Sequence, residues 1–124
     1  MTALVDSSVV LAWLLEEPGS DAAEEHLMAG VISAVNWSEV VQKARQNGVD
    51  PDSAAYILAS FSLSIVDVTR EDAEGAAGLW ERGTELSLAD RHCLATAQRL
   101  GLPAVTADRR WAALESGPQV ILIR

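Results

Sequence analysis

The 124-residue sequence holds a single cysteine, Cys93, so no internal disulfide can staple it. A reducing cytoplasm is the compartment expected for such a chain. No apolar run approaches the roughly 18 residues that a membrane span needs, so no membrane anchor is expected. The opening residues, MTALVDSSVV, carry neither a basic lead nor a small-residue cleavage site, so a secretory leader is not expected either. Positive charge is also scarce. Nine basic side chains face eighteen acidic ones, the net charge is -9, and Lys43 is the only lysine. That balance argues against a nucleic-acid binder working through a broad basic surface. It suits a protein that meets a basic partner or gathers cations. Repeats, linkers and low-complexity tracts are absent, and one domain over residues 1–124 is expected.

What is present is apolar. Hydrophobic residues make up 49% of the chain, enough for a real core and too many for a disordered one. ALVDSS is a short apolar run closed by a carboxylate and predicts a first strand at about 2–6. An apolar helix follows through Val9, Val10, Leu11, Trp13, Leu14 and Leu15 and stops at Pro18-Gly19. A second helix is predicted at about 21–29, then a strand in GVISA. NWSEVVQKARQNG is helical, with Trp37, Val40, Val41 and Ala44 on one face and Gly48 as its stop. DPDSAAYILASF is a further helix with Pro51 near its start. LSIVDV predicts a strand, residues 70–83 a helix weakened by Gly75 and Gly78, and LSLADRHCLATA a helix from 86 to Leu100. PAVTAD, RRWAALE and VILI complete the order as strand, short helix and strand. Short apolar strands alternating with helices predict an α/β fold: a parallel sheet of four to five strands flanked by helices.

In such sheets ligands bind outside the carboxyl ends of the strands. Asp6 closes the first strand, and Asp108 stands just past the fourth. Each also reads as a helix N-cap. Asp90 is placed among Leu86, Cys93, Leu94 and Ala97, on the apolar side of its helix, while Arg91, His92 and Arg99 fall opposite. A lone carboxylate buried there is costly. The alternative is a capping box with Ser87 three residues earlier. Glu39 has Lys43 four residues on, which a solvated ion pair explains. Taken together, four carboxylates converging on one crevice would repel strongly, since two unit charges 4 Å apart cost about 4 kcal/mol at an effective dielectric near 20. Sharing protons or holding a cation relieves this. Oxygen ligands without His or Cys favour Mg2+ or Mn2+ over zinc.

LVDSSVVLAWLLEE, NWSEV, LSLADRHCLATA and LPAVTADRRW, in that order along nearly the whole chain, resemble the PIN-domain ribonucleases, most closely the VapC toxins of toxin–antitoxin pairs. The resemblance implies a three-layer PIN-like fold. It implies a divalent-metal-dependent endoribonuclease, with Mg2+ or Mn2+ held by Asp6, Glu39, Asp90 and Asp108, and with Ser8 and Thr106 as flanking polar supports. RNA as substrate, an antitoxin as partner and a homodimer follow from the same resemblance. Some family members carry a further acid a few residues beyond the aspartate matched by Asp108. Here those places hold Arg109, Arg110 and Trp111, which bears on whether a second metal binds. Removing the four acids from the count still leaves a net charge of -5, so a local patch of Arg91, Arg109 and Arg110 is the candidate phosphate contact. Trp13, Trp37, Trp80 and Trp111 are expected in the core, Trp111 with the weakest case, and Cys93 as a small core residue. His26 and His92 are expected on solvated helix faces. Competing readings are a Mg2+-dependent phosphoacceptor, a stand-alone RNA-processing nuclease of the same fold, and a non-catalytic protein whose acids bind a basic partner. Ser8 in place of a second acid and the lack of a lysine after a late strand count against the first.

Overall fold

The computed structural model describes residues 2–124. The elements run β1 (Leu4–Val5), α1 (Ser7–Leu14), α2 (Ser20–Leu27), β2 (Val31–Ser33), α3 (Ala34–Gln46), α4 (Pro51–Ala59), β3 (Ser64–Val66), α5 (Arg70–Gly78), α6 (Leu88–Leu100), β4 (Ala104–Thr106), a 3₁₀ helix (Arg109–Ala113) and β5 (Val120–Leu122). This is the predicted order. The five strands form one sheet, β3-β2-β1-β4-β5, and every neighbouring pair is parallel. The chain winds outward from β1 to β2 and β3, then crosses back to β4 on the other side. The strand order therefore reverses between β1 and β4, where a parallel sheet opens a crevice at its carboxyl edge.

Alternation along the strands divides the core into two layers. Val5 and Val105 point to one face, where they join Val9, Val10, Leu27, Val40 and Leu58 from α1 to α4. Leu4 and Ala104 point to the other and pack with Cys93, Leu94 and Ala97 of α6 and with Trp111. Helices thus cover both faces, the expected three-layer arrangement. On the first face Trp13 meets Phe61 edge-to-face with ring centroids 5.0 Å apart. Gly19 begins α2 at a φ of 92° where a Cβ would lie 2.8 Å from the Ile123 carbonyl oxygen, so this turn packs on the chain's last residues only as glycine.

Three sequence expectations change. The helix predicted over 70–83 ends at Gly78, and a turn through Gly83, at φ 84°, leads to α6. Trp111 is wholly buried, whereas Trp80 is 57% exposed, the reverse of their expected ranking. The helix holding Asp90 is not two-faced: His92 through Ala97 are all buried. The sheet covers α6 on one side and α5 on the other, and α5 comes close because Gly75 has no side chain. A Cβ there would stand 3.2 Å from that of Ala95. His92 is accordingly buried, not solvated, with Nδ1 2.8 Å from the Leu88 carbonyl oxygen.

The α5–α6 contact also encloses a charge. Asp72 caps α5 in a reciprocal box with Thr69, and its fully buried carboxylate receives Arg99 Nε at 2.6 Å and a second guanidinium nitrogen at 3.1 Å. Burial by itself would raise the Asp72 carboxyl. The Arg99 hydrogen bonds and the Thr69 amide outweigh it and hold the group below its ordinary value. Asp72→Ala should therefore cost about 3 kcal/mol in urea unfolding, the lower end for a broken buried pair because Arg99 keeps some access to water. A loss below about 1 kcal/mol would mean that the pair contributes no more than a surface bridge.

Candidate functional site

The crevice between β1 and β4 is built around Asp6. It stands at the N-terminus of α1 with extended backbone, yet its carboxylate does not cap that helix. Ser8 Oγ donates to Asp6 Oδ2 at 2.7 Å, and Thr106 Oγ1 donates to the same oxygen at 3.0 Å. Asn36 Nδ2 donates to Oδ1 at 3.3 Å, with Ser7 Oγ more distant at 3.4 Å. The residue is only 4% exposed. Burial pushes its carboxyl from an ordinary 3.8 up to about 6. The Ser8 and Thr106 hydroxyls pull it down, and the charges of Asp90 and Glu39 push it up.

Ser8 and Thr106 also bind the two strand ends together. Ser8 Oγ accepts the Ala107 amide at 2.9 Å, and Thr106 Oγ1 accepts the Asp108 amide at 3.0 Å. Glu39 reaches the crevice from α3. Its Oε1 receives Ser7 Oγ at 2.8 Å and Asn36 Nδ2 at 3.2 Å, so Asp6 and Glu39 share the same two donors. The expected solvated pair of Glu39 with Lys43 is not among the ion pairs of the described residues.

The two remaining acids have local partners. Asp90 is half-buried at the first turn of α6, and the capping box is real: Asp90 Oδ2 accepts the Ser87 amide at 2.9 Å, and Ser87 Oγ accepts the Asp90 amide at 3.1 Å. The carboxylate is thus tolerated through its cap and its partial access to water. Asp108 caps the 3₁₀ helix through the Arg110 amide at 3.0 Å. Its two oxygens are gripped by the Arg110 guanidinium at 3.0 and 2.6 Å, which holds its carboxyl below the ordinary value. Arg91 donates to the Ala76 carbonyl on α5 at 3.1 Å. Arg109 is exposed.

Two contributors had not been singled out as site residues. Asn36 is wholly buried. It is oriented by Ser33, whose Oγ caps α3 and donates to Asn36 Oδ1 at 2.7 Å, and it links Asp6, Glu39 and the Ala89 carbonyl of α6. Ser7 joins Asp6 to Glu39. The available signal was an amide three residues before Glu39, one helical turn away on the same side.

Asp6 and Glu39 are surrounded by neutral donors, with no cation in contact among the described residues. No group of three or more His, Cys, Asp or Glu side chains stands close enough to hold a metal ion among the described residues. The donor chemistry still fits Mg2+ or Mn2+. Such ions keep several waters and bind through one or two carboxylates together with substrate phosphates.

The PIN domain family profile matches residues 3–116. The chain belongs to the PIN domain family. No curated protein matches its sequence significantly. The PIN fold is shared with a toxin–antitoxin complex from Klebsiella pneumoniae at 23% identity and TM-score 0.77, covering 98% of both chains. DNA-bound VapBC from Salmonella typhimurium is similar at 18% identity and TM-score 0.75, covering 100% of both. The sarcin-ricin-loop-cleaving toxin VapC20 of Mycobacterium tuberculosis matches at 18% identity and TM-score 0.72, over 95% of this chain and 100% of that one. No helix in the described residues is long and apolar enough to cross a membrane.

A carboxyl whose folded pKa is raised binds its proton more tightly in the folded state than in the unfolded one. Its contribution to stability is greatest below about pH 4, falls as pH rises through about 6, and stays low above that. Asp6→Asn removes this penalty. The variant should match the wild type in stability near pH 4 and exceed it above pH 7 by up to about 3 kcal/mol, read by urea unfolding across pH. Parallel profiles for the two proteins would show that Asp6 is not strained in its ionised form.

Proposed function

We propose that this PIN protein is a divalent-metal-dependent endoribonuclease and the toxin of a VapBC-type toxin–antitoxin pair. The observation that carries the chemistry is Asp6, a buried carboxylate at the sheet's crevice with Glu39 and Asp90 charged nearby and only neutral groups donating to it. Asp6 is the principal ligand, with Glu39, Asp90 and Asp108 as direct or water-mediated ones around Mg2+ or Mn2+. When bound, the ion acidifies a water and offsets charge on the scissile phosphate. Ser8 and Thr106 fix the Asp6 carboxylate, and Asn36 fixes it relative to Glu39. With Oε1 engaged by Ser7 and Asn36, Glu39 keeps Oε2 to accept a proton from an attacking water.

The partner half of the reading rests on the shared fold with toxin–antitoxin complexes and on the net charge of -9, which suits an inhibitor that presents basic residues. A single PIN unit over the whole chain, a homodimer and a cytoplasmic location belong to the same reading.

Purified protein should cut structured RNA in the presence of Mn2+ or Mg2+, and chelator should stop it. Asp6→Asn and Glu39→Gln should each lower the rate at least about a hundredfold, near 3 kcal/mol of barrier. Cleavage that survives chelator, or persists undiminished in both variants, would assign the activity to another site or a contaminant.

A further inference from the structure

Three acid-bearing segments are joined through one amide. Asn36 Nδ2 lies 3.3 Å from Asp6 Oδ1, 3.2 Å from Glu39 Oε1 and 3.4 Å from the carbonyl oxygen of Ala89, the residue before Asp90 on α6. Asp6 follows β1, Glu39 is on α3 and Ala89 on α6, so these elements meet at a single nitrogen. An amide nitrogen has two hydrogens to divide among the three acceptors, and each distance is at or beyond the long end for such bonds. The short bond is at the other end of the group. Ser33 Oγ donates to Asn36 Oδ1 at 2.7 Å and accepts the Asn36 backbone amide at 3.2 Å. Ser33 closes β2, and both side chains are wholly buried. Among the described residues the Ser33 hydroxyl is the only donor to that oxygen.

We propose that Ser33 is a positioning residue of the site: its hydroxyl aims the Asn36 amide, and the amide in turn holds Asp6, Glu39 and the first turn of α6 in the spacing that a divalent ion needs. This rests on the metal-dependent reading above. A reversed amide would turn Oδ1 toward two carboxylates and a carbonyl, with no hydrogen between them. Loss of the Ser33 hydroxyl would leave Oδ1 a buried acceptor without a partner, a state the side chain relieves by turning, which takes Nδ2 away from the acids. Neither side chain is exposed, so neither touches RNA. Their effect falls on ion affinity and on the chemical step, and substrate binding is left alone. Partners that orient metal ligands in this way typically change affinity or activity by about 10- to 100-fold.

The test uses Ser33→Gly, because glycine caps a helix nearly as well as serine while lacking the hydroxyl. Mn2+ affinity is measured without RNA, by electron paramagnetic resonance of the unbound ion. The kcat and KM are measured on structured RNA, under conditions where urea unfolding shows each variant folded. Ser33→Gly should weaken Mn2+ binding about tenfold and lower kcat about thirtyfold, with KM within about twofold of the wild type. A general loss of stability would not weaken the affinity of the folded protein for the ion. Asn36→Ala should lose at least as much, and adding Ser33→Gly to it should cost nothing further, since the hydroxyl acts only through the amide. Should Asn36→Ala not fold, Asn36→Leu, closer in volume, closes the same cycle. Wild-type Mn2+ affinity in Ser33→Gly, or additive losses in the double variant, overturns the proposal and leaves the metal-dependent reading intact. A wild type that binds no Mn2+ overturns both.

Discussion

The structure around the crevice depends on keeping one carboxylate buried without a counter-ion. Asp6 is held by hydroxyls from Ser8 and Thr106 and an amide from Asn36, groups that orient it without neutralising it. Burial and the neighbouring acids then leave it short of positive charge, with a carboxyl raised to about 6. A buried aspartate serving only the fold would be paired, as Asp72 is with Arg99. The two sites show the contrast within one molecule. At α5–α6 an acid meets a cation and locks two helices. At the sheet edge Asp6 and Glu39 meet only neutral donors.

The fold serves this arrangement through the strand order. Because β1 and β4 are neighbours, Asp6 and Thr106 face each other across one hydrogen-bonded pair of strands. The helix that follows β2 then brings Asn36 and Glu39 over the same edge, and the first turn of α6 adds Asp90. Alternation within strands as short as two or three residues is enough to send Leu4 and Val5 to opposite layers, which lets the sheet be covered on both faces. Helix α6 must then pass between the sheet and α5, and the run of small residues in it allows this.

Much of the fold was legible in the sequence. Strand runs such as ALV and PAVT are short, apolar and closed by polar residues, and helix starts such as Pro51 and Ser87 announce themselves locally. The misreadings have separate causes. A helical wheel assigns one buried face, but α6 is buried on two, so His92 was expected in water. Trp111 was undervalued because a 3₁₀ turn of five residues has no readable face. Asp90 was placed on the apolar side when its own cap, visible in the Ser87 spacing, settled its position.

The site divides in the same way. Residue type and order determined that acids would end the first and fourth strands, and the oxygen-only donor set pointed to a hard divalent ion; those properties are local and travel with the sequence. Tertiary structure alone decided which acids share donors, that Asn36 bridges Asp6 and Glu39, and that Arg91 is spent on the carbonyl of Ala76. The Asp6 bonds to Asn36 and Thr106, 30 and 100 positions away, depend on strand order and helix packing, which no local pattern of charge or hydrophobicity encodes.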